Sequence, residues 1–298
     1  MIQKSKCDFI EAPLFEGSTC EGTNLAYSVV KQNSANRLKG TFCDYKEHVK
    51  VNGLKSDHKI KNIDIVVTKC ENIRLSTIKT FQNGRFPIVI GGDHSTAIGS
   101  IAAVSEMYGI ENFAVTYIDA HADINTEATS TSHNIHGMPL AACLGICSKN
   151  LNVGSSNKKI FGDNLFIIGA RSIDKPEYKI IKENGVHLYK SEALSDRKIE
   201  NVYSSLVENI GNKKVHVSFD VDVLDPSYFK STGYNVKDGI SVEKIKNIFD
   251  FIFDNFDVAS IDVVEYNPLL DHERTDLKTL VSLIEYIENL VCQKQLKA

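Results

Sequence analysis

The sequence predicts an α/β fold: a single doubly wound, mostly parallel sheet of about eight strands flanked by helices. Three observations carry this expectation. Short apolar runs rich in β-branched residues alternate with segments of helical spacing, the order that βαβ crossovers produce. The runs are almost continuously apolar, as strands buried on both faces require. No Pro/Gly/Ser-rich linker, internal repeat or low-complexity tract divides the chain, so residues 1–298 read as one domain.

In chain order, the strand candidates are Cys7–Ile10, Ile63–Val67, Phe86–Ile90, Phe113–Ile118, Leu165–Ile168, Val186–Tyr189, Val215–Phe219 and Ala259–Val264. Thr96–Tyr108 and Ser241–Asn255 carry helical spacing. An apolar content of 42% can fill a sizeable core. No apolar run reaches the roughly 18–20 residues of a membrane span. Met1–Cys7 leads into mixed polar sequence without the apolar region of a signal peptide, so a cytoplasmic protein is expected. Seven cysteines without a CxxC argue against a disulfide framework or a zinc knuckle. Cys143 and Cys147 are expected to share one helix face and pack in the core. A net charge of −4 offers no basic stripe for nucleic acid.

The chemistry lies where strands end. Phe86–Ile90 runs into Gly91-Gly92-Asp93-His94-Ser95, and Phe113–Ile118 into Asp119-Ala120-His121-Ala122-Asp123. Val215–Phe219 runs into Asp220-Val221-Asp222, and Ala259–Val264 into Glu265-Tyr266-Asn267-Pro268. Ligands of open parallel sheets bind outside the carboxyl ends of the strands, so these four ends can meet. Alternate residues of extended chain point the same way, which groups Asp119, His121 and Asp123, and also Asp220 and Asp222. Each motif alone has an ordinary explanation: a turn with a helix cap, or a solvated acidic loop. Three such accidents at one sheet edge are a poorer explanation than a metal site. Four carboxylates and two imidazoles suit two ions sharing bridging carboxylates about 3.5–4 Å apart. Hard oxygen donors without thiolate favour Mn²⁺, while Zn²⁺, Co²⁺ and Fe²⁺ stay open on donor softness alone.

Together, Gly91–Ser95, Asp119–Asp123 and Ser218-Phe219-Asp220-Val221-Asp222 resemble the three signatures of the ureohydrolase superfamily, which includes arginases, agmatinases and formimidoylglutamases. The segment Asp123-Ile124-Asn125-Thr126, followed by Ser130–Pro139, resembles the arginase loop in which an Asn and a Ser-x-Asn hold an amino-acid carboxylate. The resemblance therefore implies an arginase, hydrolysing L-arginine to L-ornithine and urea with two Mn²⁺ per chain. It implies His94, Asp119, Asp123 and Asp220 on one ion and Asp119, His121, Asp220 and Asp222 on the other. It implies carboxylate contacts from Asn125, Ser132 and Asn134, and an α-amino contact from Asp174, with Glu177 helping. Glu265 is implied at the guanidinium and His136 in proton handling. It further implies a homotrimer or homohexamer. Two divalent ions make hydroxide available near neutral pH to attack the guanidinium carbon; Asp123 relays its proton, and His136 passes one to the leaving amine. The site is then net negative and attracts a cation.

Several residues depart from the family pattern. His133 stands where Gly is usual, Tyr234-Asn235 where a small residue and Pro are commoner, and Ser172 at a position acidic in some arginases. Gly17–Asn24 replaces a glycine- and acid-rich segment. These bear on substrate affinity and assembly more than on chemistry. The rival readings are an agmatinase or another guanidino-compound hydrolase, against which Asn125 and Ser132-x-Asn134 weigh, and a silent binding member, whose mark is lost ligands. All six ligands are present.

Overall fold

Eight strands form one sheet in the computed structural model, which describes residues 5–34, 37–51 and 60–297. The opening Met1–Lys4, part of the segment judged for a leader, lies outside the described residues. The strands are β1 (Cys7–Glu11), β2 (Thr41–Cys43), β3 (Phe86–Ile90), β4 (Phe113–Ile118), β5 (Leu165–Ala170), β6 (His187–Lys190), β7 (Lys214–Asp220) and β8 (Asp257–Val264). Their spatial order is β2-β1-β3-β8-β7-β4-β5-β6, and every pair is parallel. The helices are α1 (Ala26–Asn33), α2 (Ile63–Gln82), α3 (Thr96–Tyr108), α4 (Pro139–Leu144), α5 (Lys175–Glu183), α6 (Ile199–Ile210), α7 (Val242–Asn255) and α8 (Thr275–Lys297).

Side-chain alternation sorts the core into two layers. Ile88, Ile90, Val217, Phe219, Ile261 and Val263 pack with α1, α6, α7 and α8 on one face. Val89, Phe113, Val115 and Tyr117 pack with α2–α5 on the other. Each such side chain contributes on the order of 1.5–3 kcal/mol by burial. The second layer has a polar centre: Asp262 Oδ2 accepts from Ser100 Oγ of α3 (2.5 Å) and meets His216 Nε2 (3.1 Å) and Ser218 Oγ (3.4 Å).

Two expectations are corrected. Ile63–Val67 is not a strand but the start of α2. Its apolar residues continue at helical spacing through Ile63, Val66, Val67, Cys70 and Ile73, all buried, while Ile65 turns outward with 46% exposure. The eighth strand is instead β2, three half-exposed edge residues without an apolar pattern. Cys147 lies beyond α4, which ends at Leu144 before a left-handed Gly145 (φ 74°), so it shares no helix face with Cys143. All seven cysteines are free. No helix among the described residues is long and apolar enough to cross a membrane.

Candidate active site

The four central strands, β3, β8, β7 and β4, end nearly level. Ile90 pairs with Val263, Asp220 with Val264, and Ile118 with Phe219. Pairing continues past the strands, since Gly91 N–H donates to Val263 O and Glu265 N–H to Gly92 O, both at 2.9 Å. Gly91 and Gly92 take φ of 92° and 81°, a turn that favours glycine, and a Cβ at Gly92 would press on Ala12 O at 2.9 Å. This turn delivers His94 beneath the other three strand ends.

His94 and Asp119 are fully buried. His94 Nδ1 lies 2.9 Å from Asp119 Oδ2, 3.1 Å from Asp220 Oδ2 and 3.4 Å from Asp123 Oδ2. His121 Nδ1 lies 3.0 Å from Asp222 Oδ2 and 3.5 Å from Asp119 Oδ1. Two groups result, His94-Asp119-Asp220 and Asp119-His121-Asp222, each with donor atoms close enough to share one ion. Asp119 belongs to both. His94 Nδ1 and Asp119 Oδ2, though close, lack hydrogen-bond geometry and are left without a hydrogen-bond partner. Donors that converge on a common point without satisfying one another fit a cation between them. The chemistry of the set also fits, with three carboxylates, two imidazoles and no thiolate, and the Asp123 carboxylate lies beside it, 3.4 Å from His94 Nδ1.

The cluster is electrostatically strained by itself. Burial, then the charges of Asp222 and Asp119, pushes Asp220 well above the usual carboxylate range. Burial, then Asp119, does the same to Asp123 and also raises Asp222. Burial opposes a charge on His94, but the carboxylates of Asp119 and Asp220 close beside Nδ1 outweigh it and hold the imidazole well above its ordinary value. Neighbouring groups fix the geometry. Ser218 Oγ meets His94 Nε2 at 2.9 Å, Tyr117 stacks on the His94 ring at 4.2 Å and donates to Asp123 Oδ2 (2.9 Å), and Ala120 N–H donates to Asp222 Oδ1 (3.1 Å). Arg171 clamps the loop behind Asp222, donating to Asp222 O (2.8 Å), Val223 O (3.1 Å), Val236 O (2.9 Å) and Lys237 O (3.0 Å).

A cavity of about 320 Å³ opens onto this cluster. His121, Asp123, Asp220 and Asp222 line its floor; Asn125, Ser132, His136, Asp174, Glu177 and Glu265, all singled out from sequence, line its walls. Asn134 does not line it: its Oδ1 accepts from Lys61 Nζ (3.3 Å) and its N–H donates to Ser132 Oγ (3.2 Å). Asn125 Nδ2 donates to Asp174 Oδ2 (3.0 Å). Glu177 is committed to backbone, accepting from Ile124 N–H (3.1 Å) and Asp174 N–H (2.8 Å). Glu265 Oε1 accepts from His94 N–H (2.8 Å) and meets His136 Nδ1 (3.2 Å). Its Oε2 is buried without a partner. A larger open cleft of about 670 Å³, bordered by Arg171, Lys190 and Lys244, contains none of the cluster.

With this geometry in place, known proteins can be compared. The family model described as the arginase family matches residues 6–287. The chain belongs to the arginase family. It is 38% identical over 234 residues to an arginase of Bacillus subtilis (strain 168), covering 78% of each chain. It is 32% identical over 296 residues to an arginase of Staphylococcus aureus (strain MRSA252), covering 95% of this chain and 97% of that one. A crystal structure of arginase from Bacillus subtilis superposes with a TM-score of 0.84 at 34% identity, over 95% of this chain and 98% of that one. One of Entamoeba histolytica arginase in complex with L-ornithine gives 0.81 at 25% identity, over 95% and 97%. As a member of the arginase family the chain is a hydrolase, and the fold implied by the sequence resemblance is the fold observed.

Sequence reasoning missed Tyr117, Arg171 and Asp93 as supports of the site. Asp93 Oδ2 accepts from Gly17 N–H (2.9 Å) and Ser18 N–H (3.3 Å), tethering the loop that stands where the arginase family usually has its glycine- and acid-rich segment. Each missed residue lay inside or beside a motif already singled out, but Tyr117 and Arg171 are not ligand types and Asp93 has the ordinary explanation of a turn with a helix cap. The His133 departure gains a physical meaning: its φ is +58°, a left-handed conformation that glycine adopts without cost. His133 does not line the cavity. His133→Gly should change the unfolding free energy by less than about 1 kcal/mol, whereas β-branched His133→Val should lower it by about 1–2 kcal/mol. Urea unfolding of the two variants checks this; equal stabilities would contradict a strained backbone here.

Proposed function

We propose that this chain is a dinuclear manganese hydrolase that converts L-arginine and water to L-ornithine and urea. The observation that carries this reading is Glu265, which lines the cavity beside the two ligand groups and whose Oε2 is buried without a partner. A planar cation bearing only N–H donors is the group that satisfies it, and a guanidinium is such a cation. His94, Asp119, Asp123 and Asp220 hold one ion; Asp119, His121, Asp220 and Asp222 hold the other. When bound, the pair supplies Lewis acidity that makes water nucleophilic near neutral pH.

The chain's own residues do the rest. Glu265 binds the guanidinium through Oε2 while His94 N–H and His136 hold Oε1 in place. Asp123 accepts the proton released as water adds to the guanidinium carbon, and Tyr117 O–H keeps that carboxylate aimed. His136, tied through Nδ1 to Glu265, presents Nε2 to the departing amine and gives it a proton. Asn125 and Ser132 receive the α-carboxylate, with Asp174, supported by Glu177, at the α-amino group; Asn134, its side chain turned to Lys61, holds Ser132 Oγ through its N–H. These remote contacts position the reacting carbon, so they favour a substrate with both groups over agmatine. The working assembly is a homotrimer or homohexamer in the cytoplasm.

Urea release from a panel of L-arginine, agmatine and guanidino acids, with metal content by elemental analysis, tests the proposal. The expected outcome is two manganese per chain and L-arginine preferred by more than one ordinary hydrogen bond gives, about 0.5–1.5 kcal/mol. Equal or faster hydrolysis of agmatine overturns the substrate. Full activity with one ion per chain overturns the dinuclear centre.

A further inference from the structure

Two neighbouring loops, residues 17–22 and 230–235, the second carrying the cavity-lining Tyr234, have no role in the steps above. They are stapled together by Asn267, whose Nδ2 donates to Glu21 O (2.9 Å) and whose backbone N–H donates to Ser231 O (2.8 Å). Gly233 comes so close to the first loop that an added Cβ would lie 3.2 Å from Cys20 Cβ. Asn235 fixes the second loop on itself through Lys230 O (2.8 Å) and Thr232 O (3.3 Å). Tyr234 therefore projects from a turn anchored on both sides. It is the one tyrosine or phenylalanine that lines the cavity among the described residues, and it is 39% exposed.

Its ring centroid lies 5.0 Å from that of His136, with the planes inclined by 42°, and its hydroxyl lies 3.4 Å from Thr19 Oγ1. His136 has two other supports. Its backbone N–H donates to Gly17 O (3.0 Å), and its Nδ1 meets Glu265 Oε1 (3.2 Å). The backbone contact leaves rotation about Cβ–Cγ free, and the Nδ1 contact restrains it from one edge of the ring only. An aromatic face packed against the ring removes that freedom.

We propose that Tyr234 is a positioning residue for His136, its ring fixing the plane of the imidazole so that Nε2 faces the amine leaving the substrate. This rests on the arginine-hydrolase reading, in which His136 transfers that proton. Proton transfer requires heavy atoms within about 2.6–3.2 Å, and a misplacement of about 1 Å costs on the order of 10²-fold. The support acts on kcat and not on the metal centre, since Tyr234 lies in neither ligand group.

The test is a double-mutant cycle on the full-length, manganese-loaded protein. Tyr234→Ala should lower kcat for L-arginine about tenfold with little change in KM or metal content, and Tyr234→Phe should recover most of the loss. In a His136→Ala background, Tyr234→Ala should lower kcat no further. An independent readout is carbethoxylation of His136 by diethyl pyrocarbonate, followed by mass spectrometry. It should run severalfold faster in Tyr234→Ala than in the wild type or in Tyr234→Phe. The same fractional loss of kcat with and without His136, or an unchanged carbethoxylation rate, overturns the inference while leaving arginine hydrolysis intact. A wild type that modifies as expected but releases no urea from L-arginine overturns the substrate reading, and with it the kinetic role of Tyr234.

Discussion

Asp220→Asn should abolish two-ion loading and cut turnover by more than the roughly 10–100-fold typical of groups behind the ligands, yet raise the Tm of the metal-free protein. The two effects have one origin. Asp220 is buried beside Asp119 and Asp222, and in the absence of cations their charges repel. Asparagine removes one of those charges and keeps the local bonding. Its Oδ1 can still accept from Asp222 N–H, now 2.8 Å away, and its Nδ2 can donate to His94 Nδ1, 3.1 Å from the present Oδ2. Without the Asp220 charge less holds His94 protonated, which frees Nδ1 to accept while Nε2 keeps Ser218. In the presence of manganese the order reverses. Ligand binding stabilises the wild type by about 2.7 kcal/mol at a concentration one hundred times Kd, and the variant loses most of that. Thermal scans with chelator and with Mn²⁺, alongside metal analysis, give the crossing directly. A variant with wild-type turnover, or one less stable than wild type in chelator, would refute the ligand assignment.

Glu265→Gln should leave both ions in place and lower kcat/KM for L-arginine by about 10²–10⁴-fold, the equivalent of the 3–5 kcal/mol lost when one partner of a buried ion pair is removed. Glutamine can still accept from His94 N–H through its oxygen, so the backbone turn at Glu265, with its φ of 66°, survives. The amide nitrogen then occupies the place of Oε2 and points an N–H at a guanidinium that has only N–H groups to offer. Flipping the amide relieves that clash at the expense of the His94 contact. Steady-state kinetics with metal analysis on the same sample decide the matter. Retention of kcat/KM within about threefold would remove Glu265 from substrate binding.

The sheet was legible because its inner strands are fully buried and therefore almost purely apolar. β3, β4 and β7 were placed within a residue of their observed bounds, and α3 matches its expected range. The failures have local causes. Ile63–Val67 is β-branched enough to read as a strand, and only the buried positions further on, Cys70 and Ile73, reveal helical period. β2 is short and at the edge, where no burial writes a pattern into the sequence. In the site, ligands declared themselves as acids and histidines directly after apolar runs. Arg171, Tyr117 and Asp93 did not, because their contribution lies in hydrogen bonds to backbone and to other side chains, which depend on where distant loops come to rest. The orientation of Asn134 toward Lys61 is of the same kind.

The position of β8 bears on how such a chain can be made. It is the last strand to be synthesised, yet it sits in the middle of the sheet, between β3 and β7. Until it is inserted, the molecule has a three-stranded and a four-stranded half, each with a raw hydrogen-bonding edge of the kind that templates aggregation. His94 rides on one half and Asp119, His121, Asp123, Asp220 and Asp222 on the other. The two ligand groups can therefore come together only when β8 lies between the halves.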